Sequence, residues 1–118
     1  MTVDLIVKRF VALATDQDSP QQNIKFGQGH NLEIEIGFSS LESRQFKMAE
    51  KNVEQVLDLI DHKNLLLDNP ARLPTQLSEL VPWLARTIED KSGLVVHDVS
   101  IKTGAGLAYH LDGQASEL

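Results

Sequence analysis

The apolar residues of this chain change their spacing twice, and this change limits the possible folds more than any other feature. Between residues 31 and 38 they alternate with polar residues, which is typical of a strand with one buried face. Between residues 46 and 60 they recur every third or fourth position, as on one face of a helix. Alternation returns after residue 94. Strands, then helices, then strands predict an α+β fold in which helices pack on a sheet.

The alternating pattern predicts four β-strands: Val3–Leu13, Asn31–Phe38, Leu94–Lys102 and Leu107–Leu111. Arg9 interrupts the apolar series of the first strand, and Gly37 predicts a bulge or an exit near the end of the second. In the third strand, alternation places His97 on the apolar face, so we expect it in the core. Thr15–Gln28 is polar and predicts a long loop. Gly104-Ala105-Gly106 fits no phosphate-binding fingerprint and predicts a hairpin turn.

The helical spacing predicts a first helix over Phe46–Ile60. Its apolar stripe consists of Phe46, Ala49, Val53, Val56, Leu57 and Ile60. Ser43 is the expected N-cap, because a serine oxygen can accept a hydrogen bond from the first turn. The helix is expected to end near Asp61-His62-Lys63-Asn64, where cationic side chains suit the negative end of a helix.

A second helix follows the start signal Pro74-Thr75. Its apolar residues Leu77, Leu80, Val81, Leu84 and Ile88 share one face. Pro82 inside a helix costs about 3 kcal/mol. Either Ser78 is the N-cap and Pro82 lies near the first turn, or the helix bends at Pro82. We expect the late start.

The resulting order, β-β-α-α-β-β, fits an antiparallel sheet with both helices on one face, formed by one domain over residues 1–118. The other face carries Glu33 and Glu35, which could form an acidic pair but are expected to be solvated. The edges of such a sheet are open. Open edges need a partner or protection, so we expect a homo-oligomer.

Composition excludes several classes of protein. The chain has 118 residues, 11 of them basic and 17 acidic, and a net charge of −6. Because nucleic-acid-binding domains carry a basic surface, no nucleic-acid partner is expected. The chain has no cysteine, which excludes disulfides, thiolate metal sites and a cysteine nucleophile. Asp4, Lys8 and Arg9 interrupt the N-terminal apolar run, so we expect no secretory signal, no membrane span and a cytoplasmic location.

Four histidines are candidates for chemistry: His30, His62, His97 and His110. No two stand at the local spacing of metal ligands, so spacing predicts no bound metal. His30 opens a strand after a glycine-rich turn and is either structural or ligand-binding. Asp61-His62 either ends a helix or forms a carboxylate–imidazole pair for proton transfer. Since adjacent helical residues do not face each other, that pair needs an irregular turn. His110 is expected to face solvent.

Five segments, in this order, resemble motifs of the 6-pyruvoyl-tetrahydropterin synthase and 6-carboxytetrahydropterin synthase family. They are Phe10-Val11-Ala12-Leu13-Ala14, Gly29-His30-Asn31, the stretch from Leu57 to Leu65, Pro74-Thr75 with Trp83, and Ala105-Gly106-Leu107-Ala108-Tyr109. The stretch from Leu57 to Leu65 is the most specific, because it is similar to the family's Leu-Asp-His-Lys-Asn-Leu. The resemblance covers most of the chain and implies a T-fold whose oligomers close their sheets into a barrel.

The resemblance also implies a chemistry that this chain only partly retains. In the family, three histidines hold zinc, a cysteine and an Asp-His pair move a proton, and a glutamate anchors the pterin ring. The zinc positions fall at Ala14, Gln28 and His30, the cysteine position near Ile24, and the glutamate position at residues 101–103. Asp61 and His62 match the Asp-His pair. One imidazole does not hold zinc usefully and Gln28 is a poor zinc ligand, so no zinc is expected. Gln28 and His30 remain candidates for ligand binding.

Three functions remain open. The first is a divergent family member without the zinc-dependent lyase reaction, which keeps the oligomeric scaffold and binds a pterin- or purine-like ligand or pairs with an active paralogue. The second is a metal-free enzyme on a pterin-like substrate, with Asp61 and His62 as the acid–base pair and His30 positioning the substrate. It predicts that His30 and His62 face one pocket across a subunit interface. The third is an unrelated α+β binding module.

Overall fold

The computed structural model describes residues 2–15, 28–63, 69, 72–104, 106–111 and 115–117; for residues 14, 15, 28–30 and 115–117 it describes the backbone alone. The elements are β1 (Val3–Thr15), β2 (Gln28–Leu41), a 3₁₀ turn (Ser43–Gln45), α1 (Phe46–Leu57), α2 (Leu77–Ser92), β3 (Val96–Thr103), β4 (Leu107–His110) and β5 (Ala115–Glu117). The α+β class and the β-β-α-α-β-β order are confirmed, and β5 is an addition to them. The predicted loop between Thr15 and Gln28 lies outside the described residues.

The five strands pair in chain order, and every pair is antiparallel. β1 and β2 form the longest ladder, which runs from Val3 opposite Leu41 to Thr15 opposite Gln28, with a register shift between Val3 and Leu5. β1 is therefore one edge of the sheet and β5 is the other. An edge strand pairs on one side only, so every second residue of β1 directs its backbone N–H and C=O away from the sheet.

The core lies between one face of the sheet and the two helices. Its buried residues include Val7, Leu32, Ile34, Ile36, Phe38, Val99 and Ile101 from the strands and Ala49, Val53, Val56, Leu57, Leu77, Leu80, Val81, Leu84 and Ile88 from the helices. Both predicted helix stripes are confirmed, with Phe46 packed at the margin of the core. Arg9 interrupts the apolar series of β1 because its Nη2 reaches Glu50 and Glu54 of α1, at 3.3 and 3.2 Å.

A β-bulge reverses the prediction for His97. Gly37 pairs with Asp98, whereas Phe38 pairs with Val96, so His97 is the extra residue of β3. The alternation shifts at this point, which buries Val96 and exposes His97. The expectation of a core histidine is therefore wrong. The bulge lies opposite Gly37, but its extra residue belongs to β3, and β2 continues through Gly37 to Leu41.

Helix ends also differ from the expected ones. Ser43 is not the N-cap of a helix; the cap of the 3₁₀ turn is Glu42, whose N–H donates to Gln45 Oε1 at 2.8 Å. The second helix starts at Leu77, two residues earlier than the expected start with Ser78 as N-cap, and its N-cap is Gln76, the last extended residue. Pro82 lies inside α2, where it removes one helix hydrogen bond.

Among the described residues, no helix has the length and apolar character that crossing a membrane requires.

Candidate functional site

The turn after α1 carries two of the predicted site residues. α1 ends at Leu57 rather than at Ile60, and the chain then forms short-range hydrogen bonds, among them Leu59 N to Val56 O at 3.1 Å. Ile60 is fully buried and fixes the turn to the core. His62 has a φ of 59°, in the left-handed region. Because few residues adopt that region outside tight turns, the helix cannot continue through His62.

Asp61 and His62 attach this turn to the open edge of β1. The N–H of Ala12 donates to Asp61 Oδ1 at 2.9 Å, and the N–H of His62 donates to the carbonyl oxygen of Ala12. Both outward backbone groups of Ala12 are thereby satisfied, much as an extra strand would satisfy them. We call these two contacts the edge clamp. Alanine has no polar side chain, so no sequence signal identifies Ala12 as the partner of Asp61.

The Asp61 carboxylate and the His62 imidazole lie close together without a direct hydrogen bond. His62 Nε2 is 3.7 Å from Asp61 Oδ2, and the two side chains are 83% and 29% exposed, respectively. The irregular turn that such a pair requires is present. However, the Asp61 carboxylate accepts its hydrogen bond from the backbone of β1. His62 is largely exposed, while Asp61 holds the turn against β1.

The strand register brings the other predicted site residues to the same end of the sheet. Leu13 pairs with His30 and Thr15 pairs with Gln28, directly beside the residue that the edge clamp contacts. Since adjacent strands lie about 4.8 Å apart, the backbone of His30 is one strand inside the clamped edge. Residues 12–15, 28–31 and 58–63 thus share one region, which we call the clamp end.

The three residues at the positions where the sequence resemblance places zinc histidines do not fit zinc. Ala14 pairs with Gly29, so Ala14, Gln28 and His30 are neighbours in the β1–β2 ladder. Ala14 offers no metal ligand, Gln28 offers an amide and His30 offers one imidazole. Zinc in proteins takes three or four nitrogen, sulfur or carboxylate ligands. Within the described part of the chain, no three His, Cys, Asp or Glu side chains are grouped to hold a metal.

Glu33 and Glu35 belong to a charge cluster on the sheet face opposite the helices. Lys8 of β1 lies 3.1 Å from Glu33 and 3.5 Å from Glu35, and Lys102 of β3 lies 3.9 and 3.8 Å from the same two carboxylates. The hydrogen bond that Lys8 Nζ donates to Glu33, followed by the charges of Glu33 and Glu35, raises the pKa of Lys8 above the usual 10.5. Because two lysines balance two glutamates, the arrangement is that of a surface ion-pair cluster.

A groove of about 410 Å³ lies on the helix layer and borders the clamp end at Leu59. Its lining consists of Gln55, Val56, Leu59, Thr87, Asp90 and Lys91. It contains no histidine and no facing pair of carboxylates, so it offers no evident acid–base chemistry. His110, on β4, is exposed as expected.

Comparison with known proteins identifies the fold. No protein-family model matches the sequence, and no curated protein is significantly similar to it. The structure is similar to that of Caenorhabditis elegans 6-pyruvoyl tetrahydropterin synthase, with a TM-score of 0.73 and 14% identity over 93% of this chain and 94% of that chain. This chain has the 6-pyruvoyl-tetrahydropterin-synthase-like T-fold. The fold implied by the sequence motifs is confirmed, and function must be argued from the site, because one fold hosts many functions.

Within this T-fold, sequence reasoning missed two features of the site region. One is the role of Ala12 as the anchor of Asp61 and His62. The other is the flanking of Glu33 and Glu35 by Lys8 and Lys102, which depends on strands distant in sequence. The alternation of charges along each strand can be read from the sequence, but the register that pairs the strands cannot.

Proposed function

We propose that this chain is a divergent 6-pyruvoyl-tetrahydropterin-synthase-like protein without the zinc-dependent lyase reaction. In this proposal it acts in the cytoplasm as a self-associating scaffold that binds a pterin- or purine-like ligand at the clamp end, alone or beside an active paralogue. The observation that carries the proposal is the set of residues at the expected zinc positions. Ala14, Gln28 and His30 stand together in the ladder where the resemblance places three zinc histidines.

The loss of zinc ligands bears directly on the lyase chemistry. A metal polarises the substrate and stabilises negative charge as it develops, and neither Ala14 nor Gln28 replaces a zinc histidine. The chain also has no cysteine to transfer a proton. Asp61, which matches the family's proton-relay acid, accepts its hydrogen bond from Ala12 instead of from an imidazole. All three departures reduce lyase activity and leave the scaffold intact.

A zinc and lyase measurement tests the first half of the proposal. Protein purified without chelator and without a His tag is expected to contain far less than one zinc per chain and to release no lyase product from a dihydropterin substrate. Near-stoichiometric zinc together with turnover would overturn the proposal. In that case the ligands would have to include residues outside Ala14, Gln28 and His30, such as His97 or His110.

Calorimetric titration with a reduced pterin and with a purine nucleoside tests the second half. We expect saturable binding that weakens at least about tenfold in His30→Ala. The matched control is His97→Ala, which removes an exposed histidine at the bulge instead of at the clamp end. Absence of binding for both compounds, or equal loss in the two variants, would contradict a ligand site at the clamp end.

A second candidate is a metal-free enzyme on a pterin-like substrate, with Asp61 and His62 as the acid–base pair. The observation in its favour is the exposed imidazole of His62, 3.7 Å from the Asp61 carboxylate. This candidate predicts turnover that His62→Ala lowers at least about a hundredfold without changing the urea midpoint, since a general base contributes on that scale. Turnover that is insensitive to His62→Ala would exclude the pair as the acid–base catalyst.

A further inference from the structure

The groove on the helix layer is formed by one face of each helix. Its lining residues are Gln55, Val56, Leu59, Thr87, Asp90 and Lys91. The first three belong to the end of α1 and the turn after it, and the last three belong to the last two turns of α2. Each set follows the spacing of three and four positions that brings helical residues to one face. The volume of about 410 Å³ lies in the range of pockets that hold small molecules.

The apolar part of the groove is only partly covered by the protein. Val56 is buried, whereas the next apolar residue of the lining, Leu59, is 49% exposed. Ile60, which follows Leu59 directly, is fully buried in the core. The turn after α1 therefore divides its apolar residues, and Leu59 is left at the groove. Covering exposed apolar surface of this kind with an apolar group of a ligand is favourable.

The polar side chains of the groove are not engaged by the protein. Within the described part of the chain, Asp90 and Lys91 form no ion pair, and Gln55 and Thr87 form no side-chain hydrogen bond. Asp90 and Lys91 do not neutralise each other, because consecutive residues of a helix do not face one another. A carboxylate, an ammonium group, an amide and a hydroxyl are thus available around one apolar residue.

We propose that this groove binds a zwitterionic α-amino acid with an apolar side chain. Lys91 pairs with the carboxylate of the ligand, Asp90 pairs with its ammonium group, and Leu59 packs against its side chain. This site is separate from the ligand site proposed at the clamp end and does not depend on it. Because the groove contains no histidine and no facing pair of carboxylates, the amino acid is bound there without being converted.

Charge complementarity favours a zwitterion over an ion of one sign. A ligand with an ammonium group alone is attracted by Asp90 and repelled by Lys91, and a ligand with a carboxylate alone meets the reverse. An α-amino acid carries both charges on one carbon atom, as α2 carries Asp90 and Lys91 on consecutive residues. Gln55 and Thr87 each donate and accept hydrogen bonds, so they suit either charged group of the ligand.

Three compounds that share a phenyl ring test the proposal on the unmodified protein. L-Phenylalanine carries both charges, phenethylamine carries only the ammonium group, and 3-phenylpropionate carries only the carboxylate. We expect phenylalanine to bind with a Kd below about 1 mM, and the other two to bind at least about threefold more weakly. Binding of either single-charge compound as tight as that of phenylalanine would overturn the zwitterion. No saturation by phenylalanine up to about 10 mM would overturn the site.

Amide chemical shifts recorded during the same titration locate the bound phenylalanine. The largest changes are expected at Leu59 and Lys91, with little change at residues 28–31. Changes confined to residues 28–31 would place the compound at the clamp end. That result would overturn the groove site and leave the ligand site at the clamp end standing.

Two variants separate the roles of the charges. Asp90→Asn should weaken phenylalanine and phenethylamine at least about threefold without weakening 3-phenylpropionate. Lys91→Gln should weaken phenylalanine and 3-phenylpropionate without weakening phenethylamine. Both residues are exposed, so unchanged circular dichroism is expected. The matched control is Lys47→Gln, which removes an exposed lysine of α1 outside the groove. Equal loss in Lys47→Gln and Lys91→Gln, or no loss in either groove variant, would overturn the proposal.

Discussion

The helix-covered face of the sheet and the clamp end are built by different interactions. On the covered face, Ile34, Ile36 and Phe38 are fully buried and meet the stripes of α1 and α2. At the clamp end, the decisive contacts are two hydrogen bonds to the backbone of Ala12. Burial depends on many weak contacts that tolerate small shifts, whereas the edge clamp depends on two directional ones. The helix-covered face defines the fold. The clamp end determines which part of the β1 edge and which candidate site residues remain accessible.

The largest expected effect is found by making the same substitution, isoleucine to alanine, on each of the two sheet faces. Ile36→Ala removes a side chain that is fully buried, and should lower the free energy of unfolding by about 2–5 kcal/mol. Ile6→Ala removes one that is 65% exposed, and should change it by less than about 0.5 kcal/mol in the monomer. Urea unfolding at low protein concentration measures both. Similar losses would mean that the uncovered face is also packed.

The edge clamp is tested by a second pair of variants. Asp61→Ala removes the acceptor of the Ala12 N–H, and should lower the free energy of unfolding by about 1–2 kcal/mol. Asp61→Asn keeps an acceptor oxygen and should cost less. The Ala12 amide should exchange faster in Asp61→Ala, which urea unfolding alone would not reveal. Unchanged exchange at Ala12 would show that the carboxylate does not hold the edge.

The same contrast explains how far sequence reasoning reached. The stripe from Ala49 to Ile60 and the alternation from Leu32 to Phe38 report burial directly, so the element order and the core followed from spacing. His97 was misplaced because a bulge adds one residue, so the alternation that buries Ile101 and Val99 does not continue back to His97, and Val96 is buried instead. The edge clamp could not be predicted, because the backbone of any residue can accept such contacts. Asp61 and His62 could be selected, but Ala12 could not be selected as their partner.

The bulge offers a smaller test. A Cβ added at Gly37 would lie 3.1 Å from Cε1 and 3.2 Å from Nε2 of the His97 ring, and 3.3 Å from Asp98 Cβ. His97 is exposed and can turn aside, so Gly37→Ala alone should have a modest effect. In a His97→Ala background the substitution should be more favourable by about 0.5–1 kcal/mol, measured as a double-mutant cycle. Additive effects would show that the ring does not rest on Gly37.

The smallest expected effect concerns the charge cluster on the uncovered face. The pKa of Lys8 is raised, first by its hydrogen bond to Glu33, so the folded state binds the lysine proton more tightly than the unfolded state. The resulting stabilisation is complete below 10.5 and is lost as the pH rises through the higher folded pKa. Urea midpoints of wild type and Lys8→Gln should therefore differ at about pH 9, and the difference should shrink as the pH rises through 10.5 and then through the higher folded pKa.

Two controls separate this effect from general charge loss. Lys51→Gln removes an exposed lysine of α1 and should show no comparable convergence, because α1 does not border the charge cluster. Added salt should shrink the gap for Lys8→Gln at about pH 9, since exposed ion pairs are screened. A gap that persists at high pH would assign the effect of Lys8 to the packing of its aliphatic stem along β1. Side-chain packing would then stabilise the uncovered face as it does the covered one. The two faces would differ only in how much packing contributes.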